Sequence, residues 1–175
     1  MVYNFKKISQ MKLFHFFTLV ILFLFCFGCE GNDIQEKIIS PVKFDGCKSL
    51  ISSESINEVS FDKDCIQYQY NKEKSLSITH INAGMNCCPG NITAEINIED
   101  NIITIIERET EHSCRCLCLY DLEYKITKLE EGEYKISIIE SIINEDNKIL
   151  EFDITLSFPT SGIFCVDRSN YPWGN

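Results

Sequence analysis

The feature that most constrains the fold is the stretch 113–127, in which sulfur-containing or apolar side chains recur at every second residue. In a β-strand, residues two apart lie on the same face of the sheet. The even positions are all residue types that prefer burial, namely Cys114, Cys116, Cys118, Tyr120, Leu122, Tyr124 and Ile126. The odd positions are mostly polar. This alternation predicts one long strand whose cysteines face a protein core.

The same period of two recurs along the chain, and no window shows the 3.6-residue period of a helix. Alternating runs over 65–70 and 76–81 predict one β-hairpin, and 92–99 with 102–107 predict a second. Glycine and proline predict a loop over 82–90. Further strands are expected over 134–143 and 150–158, with an irregular segment or short edge strand over 48–63 and a tail after 158. This all-β pattern favours an antiparallel β-sandwich.

One turn carries a more specific signature. The run Leu129-Glu130-Glu131-Gly132-Glu133-Tyr134 resembles the corner between strands of immunoglobulin-like sandwiches. In that corner a tyrosine hydroxyl bonds back to the loop backbone. The resemblance implies an immunoglobulin-like sandwich with Tyr134 in this role.

The N-terminal region does not fit this domain. Three lysines precede an apolar run over 13–28, which is shorter than the ~20 residues of a spanning helix. The pair Gly28-Cys29 at its end resembles the cleavage site of a bacterial lipoprotein signal, which implies lipidation of Cys29. Ordinary secretion and an uncleaved anchor are the alternatives. We expect a signal peptide over 1–28, a flexible tether over 29–40 and the β-domain over 41–175.

The charge of the chain limits its partners. The net charge is −10, and removal of residues 1–28 leaves 13 basic and 26 acidic residues. Such a surface repels phosphate backbones, so nucleic acid is not an expected partner. It also disfavours electrostatic binding to anionic lipid. Membrane attachment is therefore expected through the lipid on Cys29, in the bacterial cell envelope, at the outer membrane, on its periplasmic or surface side.

Eight cysteines follow Cys29, and an even number in an exported chain indicates disulfides because that compartment is oxidising. They are Cys47, Cys65, Cys87, Cys88, Cys114, Cys116, Cys118 and Cys165. Eight cysteines allow 105 pairings, so the count does not define the connectivity.

Three motifs taken together resemble a group of small cysteine-rich lipoproteins from Bacteroidetes. The first two are Asn86-Cys87-Cys88-Pro89 and the Cys-x-Cys-x-Cys-Leu-Tyr-Asp-Leu-x-Tyr run that begins at Cys114. The third is the Leu-x-x-Gly-x-Tyr turn, and the resemblance spans about residues 65–138. It implies export and lipidation, and it implies no particular activity.

The spacing of the cysteines restricts how they pair. Cα atoms two residues apart on a strand are separated by ~6.6–6.8 Å, the upper limit for a disulfide. We therefore expect Cys87 and Cys88 to pair with two of the three cysteines of the strand. The third would pair with Cys47, Cys65 or Cys165, and the remaining two with each other.

The alternative is a metal-thiolate site in which nearby histidines join the cysteines. Its candidate ligands are Cys87, Cys88, Cys114, Cys116, Cys118, His80 and His112. A straight strand spreads its sulfurs along a line, whereas structural zinc usually takes knuckles that fold two cysteines onto one ion. Disulfides are the preferred interpretation, and a redox-active pair is a further possibility.

Other polar residues give weaker signals. His80 shares the parity of Leu76 and Ile78, which indicates a buried, hydrogen-bonded structural histidine rather than a ligand or catalyst. His112 is interpreted as a solvated turn residue, and Asp121 and Glu123 as part of a solvated strand face. The tail that holds Tyr171, Pro172 and Trp173 is expected to tuck onto the sandwich through Cys165, and an exposed sugar-stacking platform is the alternative.

No nucleophile elbow, phosphate loop or Ser/His/Asp set is present in the sequence. We therefore predict a lipid-anchored structural or interaction module outside the cytoplasm, with no enzymatic activity and no cofactor. Its ligand would be a protein or a glycan. A metal-binding or thiol-redox protein that uses the clustered cysteines is the second hypothesis, and a glycan-active enzyme is a third.

Overall fold

The computed structural model describes residues 38–48, 59–111, 113–141, 149–169 and 172. All of them belong to one compact unit, Gln35–Asn175. The ten strands within these ranges are β1 (Ile38–Pro41), β2 (Lys43–Phe44), β3 (Lys63–Asn71), β4 (Ser75–Asn86), β5 (Ile92–Glu99), β6 (Ile102–Glu109), β7 (Leu117–Ile126), β8 (Gly132–Ile139), β9 (Leu150–Leu156) and β10 (Thr160–Asp167). No helix in the described part of the chain is long and apolar enough to cross a membrane.

The strands form two five-stranded sheets packed face to face. Sheet A has the order β1-β5-β6-β8-β9, and sheet B has the order β10-β3-β4-β7-β2. Among the pairings of described strands, β6 and β8 are parallel and the others are antiparallel. The parallel pair arises because the chain leaves sheet A for β7 and then returns. The expected all-β, disulfide-stapled sandwich is confirmed, with one parallel pair that the sequence did not predict.

The core consists of the inward side chains of both sheets. Ile103 and Ile105 on β6 and Ile136 and Ile138 on β8 are fully buried on the sheet A side. The sheet B side supplies a matching set of buried residues, which includes Ile66, Leu76, Ile78, Leu122 and Ile126. Full burial of each such side chain contributes ~1.5–3 kcal/mol, so this interface is the main source of stability. The inward side chains recur at every second residue, as the sequence predicts.

A β-bulge in β4 reverses which parity of that strand faces the core. The pairing of β4 with β7 shifts between His80 and Ala83, where the strand holds one extra residue. Asn82 takes up the extra residue at a positive φ of 67°. Its side chain donates to the carbonyl oxygens of Ser60 and Lys63 at 3.1 and 2.7 Å. Before the bulge His80 points inward, and after it Ala83 and Met85 are buried.

This bulge explains why the predicted loop over 82–90 was wrong in its first half. The strand β4 continues to Asn86, which pairs with Leu117. The part of the tail after 158 that the structure describes packs onto the sandwich through Cys165, as expected, but it does so as a strand that the sequence did not predict, since β10 pairs with β3 along its whole length. The first strand begins at Ile38, three residues inside the tether expected over 29–40. The segment 49–58 lies outside the described residues.

The predicted long cysteine strand is shorter than expected. The strand β7 begins at Leu117, while Cys114 and Cys116 lie in a bend before it. Cys118 is fully buried, but Cys116 is exposed and Cys114 is half-buried. The bend forms because the backbone of Cys114 hydrogen-bonds to a side chain and not to a neighbouring strand. The side chain of Asn86 donates to the Cys114 carbonyl oxygen at 2.7 Å. The prediction of an inward row of three thiols was therefore wrong for its first two members.

The Leu-x-x-Gly-x-Tyr turn is held by a tyrosine, but by a different one than expected. The hydroxyl of Tyr70, at the end of β3, donates to the carbonyl oxygen of Leu129 at 2.7 Å in a buried position. Tyr134 is half-buried on β8. The role assigned to Tyr134 from the corner motif was thus wrong, because β3 reaches the turn from the facing sheet.

Candidate functional site

All eight cysteines after Cys29 are paired in the structure. The pairs are Cys47–Cys118, Cys65–Cys165, Cys87–Cys116 and Cys88–Cys114. This is one of the pairings that the spacing argument allowed, and the prediction of a disulfide-rich domain is confirmed. The five cysteines proposed as thiolate ligands all lie in disulfides, so they offer no thiolate to a metal ion in this arrangement.

The four disulfides all staple sheet B and its connections. Cys65 and Cys165 face each other on β3 and β10, with their Cα atoms 4.1 Å apart. Cys118 on β7 binds Cys47, which lies just after β2. The two remaining disulfides join the end of β4 to the bend before β7. Within the described residues sheet A contains no disulfide, so other contacts must hold it to sheet B.

Those contacts include a cluster of charged side chains in the interior between the sheets. Sheet B contributes Asp64 on β3 and His80 on β4, and sheet A contributes Glu107 on β6. Glu140 directly follows β8, and Arg168 directly follows β10. The side chains of Asp64, His80 and Glu140 have no exposed surface, and that of Arg168 is 1% exposed. We call these five residues the buried charge cluster.

His80 is held between two carboxylates. Its Nδ1 lies 2.9 Å from both oxygens of Glu107, and its Nε2 lies 2.6 Å from Oδ1 of Asp64. A carboxylate accepts hydrogen bonds, so both ring nitrogens have to donate and the ring is an imidazolium. Burial by itself opposes this charge, but Glu107 and Asp64 outweigh it and raise the pKa of His80 well above 6.5.

The opposite side of the cluster is organised by Arg168. Its guanidinium donates to Oδ2 of Asp64 through Nε at 2.9 Å and also through Nη2. Nη2 further donates to Oε2 of Glu140 at 2.7 Å. Asp64 is therefore shared between the two cations, one on each carboxylate oxygen. The hydroxyl of Tyr124 completes the cluster by donating to Oε1 of Glu107 at 3.2 Å.

The protonation of Glu140 depends on its burial and on the charges around it. Burial raises its pKa to about 8, the charges of Asp64 and Glu107 add to the rise, and the cations His80 and Arg168 reduce it. Glu140 thus carries a proton at neutral pH. The carboxylates of Asp64 and Glu107 then face two cations, and the formal charges of the cluster balance.

Sequence reasoning predicted that His80 is buried, and the structure buries it. The rest of the cluster was missed, although a usable signal existed. Glu107 continues the inward row of Ile103 and Ile105, and Glu140 continues that of Ile136 and Ile138. An acidic residue that continues the buried face of a strand after two isoleucines costs free energy unless it is paired. Its position therefore indicates a buried partner.

The other candidate residues do not join this cluster. Cys29, His112, Tyr171 and Trp173 lie outside the described residues. Asp121 forms an ion pair with Lys48 at 2.6 Å and accepts from the backbone NH of Asn82. Glu123 is exposed on the outer face of β7. Asp121 and Glu123 thus do not meet as an acid–base pair.

The fold and the cluster define an all-β protein of two packed sheets, with disulfides in one sheet and a charge network between the two. Its four disulfides are compatible with a location outside the cytoplasm. Comparison of the chain with protein-family models, curated proteins and solved structures finds no match.

Proposed function

We propose that the protein is an extracytoplasmic structural or interaction module, attached to the outer membrane of the cell envelope by lipid on Cys29. The observation that carries this proposal is the complete pairing of the eight cysteines after Cys29. Reducing compartments keep thiols free, so a domain with four disulfides is suited to an oxidising compartment outside the cytoplasm. The apolar run over 13–28 and the Gly28-Cys29 pair support lipidation.

A binding or structural role is favoured over catalysis because the reactive groups are enclosed. His80 has no exposed surface, and its hydrogen bonds are taken by Glu107 and Asp64. Substrate would have to separate the two sheets to reach it. Open surface grooves lie elsewhere, among them one lined in part by Lys43 and Glu123 and one lined in part by Lys135 and Asp153. Neither groove is lined by a residue of the buried charge cluster.

The partner of such a module is a protein or a glycan. The acidic surface repels nucleic acid and anionic lipid headgroups, and it leaves the lipid on Cys29 as the membrane contact.

The attachment is tested by labelling a bacterial host that expresses the full chain with radioactive palmitate. We expect label in the wild-type protein and in its membrane fraction, and none in a Cys29→Ser variant. Cys26→Ser is the matched control, because Cys26 lies within residues 1–28, the signal peptide that cleavage would remove. Equal labelling of wild type and Cys29→Ser would contradict lipidation at this residue.

A further inference from the structure

We propose that three residues of the buried charge cluster, Asp64, His80 and Glu140, form a binding site for one first-row divalent metal ion. One potential ligand atom from each residue can be chosen so that all three lie within 4.8 Å of one another, and all three residues are buried. The ligand atoms of a tetrahedral zinc ion at bond lengths of ~2.0–2.2 Å lie ~3.3–3.6 Å apart. Closing the set around an ion therefore requires shifts of up to about 1 Å, because Nε2 of His80 and Oδ1 of Asp64, which are 2.6 Å apart, must separate and the more distant pair must approach.

An independent observation at the same place is an unpaired oxygen. Oε1 of Glu140 is buried and has no hydrogen-bond partner among the described residues. It lies 3.8 Å from Nε2 of His80, whereas the second oxygen of this carboxyl binds Arg168. A buried oxygen without a partner is costly, and an ion between Oε1 and Nε2 would satisfy it.

The surroundings of His80 also suit a metal ligand. Histidines that bind metals usually donate their other ring NH to a carboxylate, which fixes the ring and raises its basicity. Here Nδ1 of His80 donates to Glu107, and Glu107 is held in turn by the hydroxyl of Tyr124. Nε2 is thus the nitrogen that faces Asp64 and Glu140.

The donor set indicates the class of ion. One imidazole nitrogen and two carboxylate oxygens suit zinc, manganese or iron(II) better than calcium or magnesium, which prefer oxygen ligands alone. Coordination uses the lone pair of Nε2 and the ionised form of Glu140, so the proton between His80 and Asp64 and the proton on Glu140 both leave when the ion binds. The site is closed to solvent, which is typical of structural rather than catalytic metal sites.

Arg168 determines which carboxylate oxygens of this site are available to an ion. Its positive charge opposes a dication, but it occupies Oδ2 of Asp64 and Oε2 of Glu140 and leaves the other oxygen of each carboxylate facing His80. The ion would join β3 and β4 of sheet B to the residue that follows β8 of sheet A. Its predicted effect is a more stable contact between the sheets.

The test uses the full exported protein with its disulfides intact, stripped of metal by chelator in denaturant and refolded with or without zinc. We expect one zinc ion per chain after gel filtration and a Tm that rises with zinc concentration. Glu140→Gln should retain no zinc, and Glu107→Gln should bind about 10- to 100-fold more weakly through the loss of its hold on His80.

Glu123→Gln is the matched control, because it removes an exposed acid outside the cluster and should bind zinc like the wild type. Near-ultraviolet circular dichroism reports whether each variant folds. If Glu140→Gln does not fold, the zinc content of the wild type and of Glu107→Gln decides. Absence of retained zinc in the refolded wild type, or equal retention by wild type, Glu140→Gln and Glu107→Gln, would overturn the proposal.

Discussion

At the scale of single residues, the unusual feature is that charges are buried where a sandwich normally places apolar side chains. Burial of an ion pair costs free energy through desolvation, and its mutual attraction offsets that cost only when the geometry is good. Arg168 and His80 each donate hydrogen bonds to two carboxyl groups, so removing either leaves a buried acid without its hydrogen-bonded cation. The cluster therefore stabilises the fold only as a complete set.

We predict that Arg168→Met lowers the free energy of unfolding by about 3–5 kcal/mol, because Asp64 and Glu140 lose their shared cation. Urea denaturation with intact disulfides measures the change. The control is Lys74→Met, which removes a cation whose ion pair with Glu130 is solvent-exposed and should leave stability nearly unchanged. Equal midpoints for the two variants would show that the cluster contributes no more than a surface pair.

A second prediction concerns pH and the proton on Glu140. The pKa of this carboxyl is about 8 in the folded chain, against 4.5 for an unperturbed group. Between these values the unfolded chain has released the proton and the folded chain keeps it. The free energy of unfolding should therefore fall as pH rises from 4.5 to about 8, by about 1.4 kcal/mol per pH unit from this group. His80 acts in the same direction above pH 6.5, because its pKa is raised too.

Stability measured as a function of pH, with chelator present, checks this prediction. Glu140→Gln cannot titrate at this position, so its stability should depend on pH more weakly by about one proton over the same window. The groups that face Glu140 stay in place in this variant; they are His80, Asp64, Arg168 and Glu107. Parallel pH profiles for wild type and variant would contradict a raised pKa of Glu140.

At the scale of elements, the turn before β8 shows how a tertiary contact replaces a local motif. Tyr70 on β3 binds the carbonyl oxygen of Leu129, and the next strand of sheet A starts three residues later at Gly132. The turn is therefore fastened to sheet B. A motif within 129–134 cannot reveal this, because the donor lies 59 residues earlier in the chain.

We predict that Tyr70→Phe lowers the free energy of unfolding by ~1 kcal/mol or slightly more, since the Leu129 carbonyl is left buried without its donor. Tyr134→Phe is the matched control and should have a smaller effect. Chemical denaturation of both variants measures the difference. A larger loss in Tyr134→Phe than in Tyr70→Phe would restore the corner role to Tyr134.

The bulge at Asn82 belongs to the same scale. It moves the inward parity of β4 from His80 to Ala83, so one strand supplies both a cluster residue and part of the apolar core. The sequence predicted both hairpins and the burial of His80, because local alternation dictates them. It missed the bulge, since a single extra residue is absorbed by backbone geometry and by the contacts of Asn82 with distant carbonyl groups.

At the scale of the whole molecule, the contacts that hold sheet B together differ in kind from those that join the two sheets. The disulfides staple sheet B, whereas apolar packing and the buried charge cluster connect sheet A to it. Alternation at every second residue predicts the inward position of four isoleucines, namely Ile103, Ile105, Ile136 and Ile138. It does not predict the meeting of Glu107 with His80, because that depends on the register between two sheets and not on any strand alone.

The most direct test of the central claim is a thiol count on the exported protein. In denaturant without reductant, we predict that none of the eight cysteines after Cys29 reacts with an alkylating reagent, and that all eight react after reduction. A peptide map should link Cys65 to Cys165 and Cys47 to Cys118. Alkylation of most of these cysteines before reduction would contradict a disulfide-stapled extracytoplasmic module.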